Sequence, residues 1–409
     1  MLIVQKKNKS KYENFSKCNV CKSKKIKKIF NLGRHTPADT FLNSKDINLP
    51  LDEVDLNCYF CGSCLNIQLK KTINQNIKYN ITNYSYSSSN SKKSKTYLTQ
   101  YFQIIERNFK KKQKKVLEIG ANDGFLIKKF KQKRNILYSC EASKYWSIFL
   151  KKIGIKTINK IFEKVPNSFI AKHQNSFDLI IANNVFNHTH NVRKFFFNLY
   201  KLINENGLIF IEVPYSNWMI QKKKFELIYL EHINYFNLNT FKKLCDDSKL
   251  HINNFYFTDY HGKMLRIIIS KKKNKFNYKK ILSQERKYYN KKNLFKNFQI
   301  SLNNRKLKFI KKLKKLKKLN KKIIAIGASA KTSSMLNFFG LDNKDILFVT
   351  DNSKHKIGKF FPNKKIPIKR DEDLAKIKGA NIFFSTWNIS DFVKKKILRI
   401  NKSIKIIKY

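Results

Sequence analysis

Residues 115–126 read "KVLEIGANDGFL". An apolar run ends in an acid, Glu118, and passes at once into Gly120, Asn122, Asp123 and Gly124 before a second apolar run opens. That pattern predicts a strand delivered through a tight turn into a helix. Glycine lets a backbone approach a ligand closely, and the free N–H groups of a helix start favour electronegative atoms. About twenty residues further on, a second strand pattern, "ILYSCEA" (136–142), reaches Glu141, an acid placed to meet the two hydroxyls of a ribose. A nicotinamide dinucleotide site carries G-x-G-x-x-G. This turn is E-x-G-x-x-x-G with a downstream acid, which points to S-adenosylmethionine. An α/β turn with no ligand is the plainer alternative.

The rhythm continues on both sides of the turn. A helical pattern begins at about 96, further strands are predicted at 177–185 and 207–214, and helices at 143–152 and 191–205. Alternation of this kind builds a parallel sheet covered by helices. A Lys/Leu run at 309–322 reads as a solvated connecting helix with one apolar stripe, and a second alternation follows at 322–329, 346–352, 365–368 and 381–387. The expected fold class is α/β in three parts: a small metal-binding module over 1–90, a Rossmann-like domain over 91–272, and a connector with a second Rossmann-like domain over 273–409.

The chain has 409 residues and a net charge of +60, with 42% apolar and 14% aromatic residues. It can bury real cores, so disorder is excluded. No run approaches the roughly 18 apolar residues of a membrane span, and the opening "MLIVQKKNKSKYENF" lacks the order of a signal peptide, so no membrane is expected and the cytoplasm is the expected compartment. The charge is spread over every segment, is mostly lysine, and travels with Asn, Ile, Tyr and Phe. That is compositional bias rather than a nucleic-acid face, and no nucleic-acid partner is expected.

Five of the seven cysteines lie in the first 64 residues, as "CNVC" (18–21) and "CYFCGSC" (58–64). Paired C-x-x-C knuckles let four thiolates share a tetrahedral zinc ion. Cys18 and Cys21 form one knuckle; Cys61 with Cys64, or Cys58 with Cys61, forms the other. A four-thiolate site leaves no open position, so the zinc is expected to be structural.

Two further stretches carry chemistry. "ANNVFNHTHN" (182–191) puts Asn183, Asn184 and His188 at the C-terminal end of a strand, where ligands bind in open α/β sheets; a surface histidine is the plainer reading. "LIYLEHINYF" (227–236) offers a phenol, an acid and a base in Tyr229, Glu231 and His232, the ingredients of proton transfer, or else a buried structural pair.

Taken in order, CxxC…CxxC, "EIGANDG", "NNVFNH", "IEVPY", "IYLEHINYF", "HGKMLR", "GASAKTSSMLNFFG" and "STWN" resemble the zinc-containing nucleotide-sugar C-methyltransferases, which methylate a ring carbon beside the ketone of 4-keto deoxyhexoses. The resemblance covers nearly the whole chain. It implies zinc on Cys18, Cys21, Cys61 and Cys64, and S-adenosylmethionine held around Glu118, Gly120, Asn122 and Glu141, beside Asp123, Gly124, Asn183 and Asn184. His232 falls on the general base, with Tyr229, Glu231 and His188 around it and Tyr84 or Tyr86 facing the substrate, a nucleotide sugar. Lys331 and Asp351 are expected toward its nucleotide, and a monomer is expected. Leu230, Asn234, Lys263 and Met264 depart from the family, which often has His, Ser and Gly-Ser there. Those departures fall in the expected sugar-facing region and leave open another keto sugar or carbonyl compound. An RNA methyltransferase and a non-catalytic zinc-bearing scaffold are the rival readings; no N-P-P-Y or Pro-Cys motif supports the first.

Overall fold

The computed structural model describes residues 11–49, 51–81, 86–111, 113–131, 134–260, 262–385 and 390–409. The cysteine-rich segment supplies the first strands. β1 (Tyr12–Asn14) pairs with β5 (Lys71–Ile73), while β2 (Ile26–His35), β3 (Val54–Cys61) and β4 (Ile67–Leu69) form an antiparallel sheet. Its outer place beside β4 is taken by β11 (Asn234–Tyr235), which comes from the middle of the chain.

The glycine turn follows β6 (Lys115–Ile119), which lies inside a seven-stranded sheet with β7 (Ile136–Cys140), β8 (Lys156–Ile158), β9 (Phe177–Asn183), β10 (Ile203–Pro214), β12 (His251–Thr258) and β13 (Met264–Ser270). The order is β12-β13-β10-β9-β6-β7-β8, with β13 antiparallel to β10 and β6 to β10 running parallel. Leu179, Ile180, Ile181 and Ala182 are all fully buried, as continuous apolar strands are when both faces are covered. The strand order reverses between β6 and β9, and at such a switch point the C-terminal strand ends open a crevice. Gly120, Glu141 and Asn183 stand at those ends.

A third sheet, β14 (Ile323–Ile326), β15 (Phe348–Thr350), β16 (Ile368–Lys369), β17 (Asn381–Phe384) and β18 (Lys405–Ile406), is wholly parallel in the order β16-β15-β14-β17-β18. The Lys/Leu helix, Leu294–Lys318, has the expected single stripe: Phe298, Leu302, Phe309 and Leu313 are buried. The Phe298 ring packs at a tilt on Phe30 of β2 at 4.7 Å and Phe309 likewise on Phe339 at 4.8 Å, so one stripe fastens the first module to the last. Among the described residues no helix is long and apolar enough to cross a membrane.

One ion pair lies inside the central sheet. Glu212 of β10 faces Arg266 of β13 in register, at 2.6 Å, with both side chains at most 1% exposed. Arg266 also donates to Tyr97 Oη at 2.9 Å and lies 3.6 Å from the Tyr101 ring centre. Removing one partner strands the other charge in the core. Arg266→Met is therefore expected to cost about 3–5 kcal/mol, read from the urea midpoint; a loss under about 1 kcal/mol would show that water reaches Glu212.

Candidate active site

Gly120 has φ +67°, and a Cβ there would sit 2.4 Å from Val185 Cγ2. This glycine, expected as a point of ligand approach, is also required by its backbone conformation and by Val185 in the loop after β9. Gly124, at φ +70°, would press Leu150 at 2.8 Å, and the helix it opens, Phe125–Lys128, is a single turn. Asn122 is also left-handed (φ 51°); its N–H donates to Glu141 Oε2 at 2.9 Å while Ser143 N–H donates to Oε1 at 2.8 Å. These bonds fix the Glu141 carboxylate between the ends of β6 and β7, and burial raises its pKa. Glu118 is buried with Oε2 unpartnered, and burial lifts its pKa well up. An orphaned buried acid beside a fixed one suits a ligand rich in N–H and O–H donors, as the aminoacyl and ribosyl parts of S-adenosylmethionine are. Asn183 and Asn184 close the end of β9, half-buried, with Asn184 Nδ2 donating to Asn183 Oδ1 at 3.3 Å.

Asp123 faces another partner. Its carboxylate accepts from Ser87 Oγ (2.6 Å), Ser88 Oγ (2.8 Å) and Ser89 N (2.8 Å). Burial works against its charge, but these donors outweigh burial and hold it below its usual range. Asn122 Nδ2 and Trp146 Nε1 both donate to the Tyr86 carbonyl at 3.1 Å. Residues 86–89 are thus strapped to the glycine turn. Tyr84, the other candidate for the substrate-facing phenol, lies outside the described residues.

After a 3-10 turn that ends at Leu227, the 227–236 stretch is irregular until β11, and its turn is closed by His232 N donating to the Tyr229 carbonyl at 2.9 Å. That turn folds Tyr229 back onto His232, ring centres 3.9 Å apart. His232 Nδ1 lies 3.1 Å from the Leu227 carbonyl, which can only accept, so Nδ1 carries the proton and Nε2 accepts from Tyr229 Oη at 2.5 Å. Burial, then the charge of Lys78, keeps His232 well below the ordinary histidine range, so the ring is neutral. His188 packs edge-on at 4.7 Å and donates through Nδ1 to the Glu231 carbonyl at 2.6 Å. Lys78 Nζ is 2.9 Å from the same Nδ1, which cannot serve both; the carbonyl takes the proton, and Lys78 acts on the ring through its charge. Glu231 is 5% exposed with Oε2 unpartnered; burial raises its pKa, and burial lowers that of Lys78.

Lys78 and Asp39 have no counterpart among the residues expected from sequence. Lys78 is one base among 87 Lys and Arg, and nothing in its surroundings marks it. Asp39, at φ +46°, acts electrostatically on Lys78, Tyr229, Glu231 and Lys331. As one of only 27 acids it was the rarer signal in this chain. Lys331, expected toward a nucleotide, sits where its charge also reaches His232; burial lowers its pKa to about 8, against the pull of Glu226. Of the family departures, Leu230 and Met264 are fully buried and Asn234 is 1% exposed.

The Sγ atoms of Cys18, Cys21, Cys61 and Cys64 lie within 4.8 Å of one another, with Cys18–Cys64 and Cys21–Cys61 at 3.5 Å. A tetrahedral zinc with Zn–S bonds of about 2.3 Å sets its sulfurs roughly 3.8 Å apart, so the group fits the ion. Each knuckle ends in a left-handed residue just past its second cysteine, Lys22 at φ 61° and Leu65 at φ 62°. Cys58 is excluded by strand periodicity: three residues before Cys61 on β3, it points to the opposite face and is buried in the apolar core.

Three family models match in succession: a zinc binding domain over 18–79, a methyltransferase domain over 94–252, and a C-methyltransferase C-terminal domain over 259–406. The chain belongs to the zinc-binding C-methyltransferases. The glycine turn falls inside the methyltransferase domain and the four cysteines inside the zinc binding domain. This C-methyltransferase is similar to C-methyltransferase NovU of Streptomyces niveus, 22% identical over 278 residues, 67% of this chain. The match spans 66% of that relative's own length. Among solved structures it is similar to a Burkholderia thailandensis 1,6-didemethyltoxoflavin-N1-methyltransferase with bound S-adenosylhomocysteine (11% identity, 43% of this chain and 78% of that one, TM-score 0.34). A second is magnesium protoporphyrin IX methyltransferase from Synechocystis PCC 6803 (10% identity, 44% and 84%, TM-score 0.36).

Proposed function

We propose that this C-methyltransferase alkylates the carbon beside the ketone of a nucleotide-linked 4-keto sugar, with His232 as the base. The observation that carries this reading is the geometry of the buried His232 ring, with Nδ1 3.1 Å from the Leu227 carbonyl, which leaves Nε2 as the basic nitrogen, 2.5 Å from Tyr229 Oη. A proton beside a ketone is within reach of such a base when the enolate oxygen is stabilised. Nε2 takes that proton. Tyr229 Oη, kept protonated by burial, turns its O–H from Nε2 to the enolate oxygen, which frees the Nε2 lone pair for that proton, and the positive charge of Lys78 favours the oxyanion. S-adenosylmethionine supplies the electrophilic methyl. Glu141 holds the cofactor's ribose, and Lys331 meets the phosphates of the nucleotide. The relative's name, a C-methyltransferase, supports carbon as the acceptor.

Calorimetric titration tests the cofactor half. S-adenosylmethionine is expected to bind in the micromolar range, and Glu141→Ala to weaken it by about 10- to 100-fold, the worth of one or two hydrogen bonds to a charged group. Screening 4-keto nucleotide sugars by mass then tests the acceptor half. A gain of one methyl on carbon is expected, and unchanged affinity in Glu141→Ala would overturn the assigned cofactor site.

A further inference from the structure

We propose that Asn234 is a positioning residue through which the zinc knuckles hold His188 and His232 in register. This rests on His232 being the base. Asn234 is buried two residues past His232. Its Oδ1 accepts from Asn19 Nδ2 and from Asn66 Nδ2, both at 3.3 Å. Asn19 lies inside the Cys18–Cys21 knuckle, and Asn66 lies two residues past Cys64. Both are clamped in turn by Gln68, whose Oε1 accepts from Asn19 N at 2.8 Å and Asn66 Nδ2 at 3.3 Å. Gln68 is itself the β4 partner of Asn234 across the sheet.

The other end of the amide points to the active site. Asn234 Nδ2 donates to the Thr189 carbonyl at 3.1 Å, one residue after His188. Ile233 N donates to the Asn187 carbonyl at 2.9 Å, one residue before it. With the His188–Glu231 bond, the two histidine loops are stitched at three points. One of these is the amide that both knuckles grip. A simply satisfied core amide would have no reason to accept one donor from beside each knuckle and spend its own N–H on the loop that bears His188.

The experiment uses the zinc-loaded full chain, with nitrogen-15 NMR of the histidine rings beside steady-state kinetics, in Asn234→Ala, Asn66→Ala and Asn19→Ala. Wild-type His232 is expected as a single tautomer protonated on Nδ1. In the variants the His188 and His232 ring signals shift or divide between tautomers. The kcat falls about 10- to 100-fold, as a misplaced base would cost, with KM for S-adenosylmethionine unchanged. Zinc stays at one ion per chain. The acid limb of the rate profile moves, since His232 then meets Tyr229, Glu231, Lys78, Lys331 and His188 at altered distances. If Asn234→Ala fails to fold, the two knuckle variants, which lie outside both histidine loops, carry the test. Unchanged ring signals and an unchanged pH profile in zinc-loaded Asn66→Ala and Asn19→Ala would overturn the proposal. Shifted ring signals alongside a fully active His232→Ala would instead overturn only the assignment of the base.

Discussion

His232→Ala is expected to lower kcat by about 10²–10⁴, the usual worth of a positioned general base. It should leave S-adenosylmethionine affinity and zinc content as in the wild type. The side chain is 7% exposed and its polar atoms are spent on Leu227 and Tyr229, with neither contact in the glycine turn or the knuckles. The wild-type pH profile has a signed expectation. Burial holds the folded-state pKa of His232 well below 6.5, so the ring is still neutral, and still a base, as the pH falls through 6.5. The acid limb of kcat/KM therefore lies below pH 6.5 and is absent from the residual rate of His232→Ala. Measuring the rate from pH 5 to 9 decides it. A limb at the ordinary histidine value, or a variant retaining a tenth of the rate, removes His232 from the mechanism.

The second large effect is loss of the metal. Apparent zinc affinities of cysteine sites in small peptides reach about 10–16 kcal/mol, comparable to the whole stability of a domain, about 5–15 kcal/mol. Cys64→Ser, or chelation, is expected to lower Tm by on the order of 10 °C. It should also abolish turnover, because β11 completes the module's sheet two residues past His232. Cys58→Ala is the control. It lies in the apolar core on the other face of β3, and the variant should keep one zinc per chain at a cost of about 1 kcal/mol. Equal zinc loss in both variants would mean that the ligand set is wrong.

The sheets were legible because their strands are apolar runs bounded by glycine or polar turns, as in "KVLEIG" and "KIIAIGAS". The paired knuckles were legible from spacing, the resemblance favoured Cys64 over Cys58 as the fourth ligand, and in the structure Cys58 lies on the other face of β3. Within the site, Tyr229, Glu231 and His232 were legible because they are contiguous. Lys78 and Asp39 were not: they arrive from separate segments and meet only through packing, and one lysine in a lysine-rich chain offers no contrast. The irregular backbone of 228–233 has no period to tell which side chains face inward. Nothing in the sequence there tells that Leu230 and Asn234 are both buried.

The two-residue strand β11 sets how such chains can be recombined. A chimaera joined near residue 90 would exchange the cysteine module as a cassette, yet leave the host's β11 to pair with a foreign β4. Swaps between relatives are expected to yield working enzymes only when residues 230–236 travel with the module, so the unit of inheritance is discontinuous along the gene.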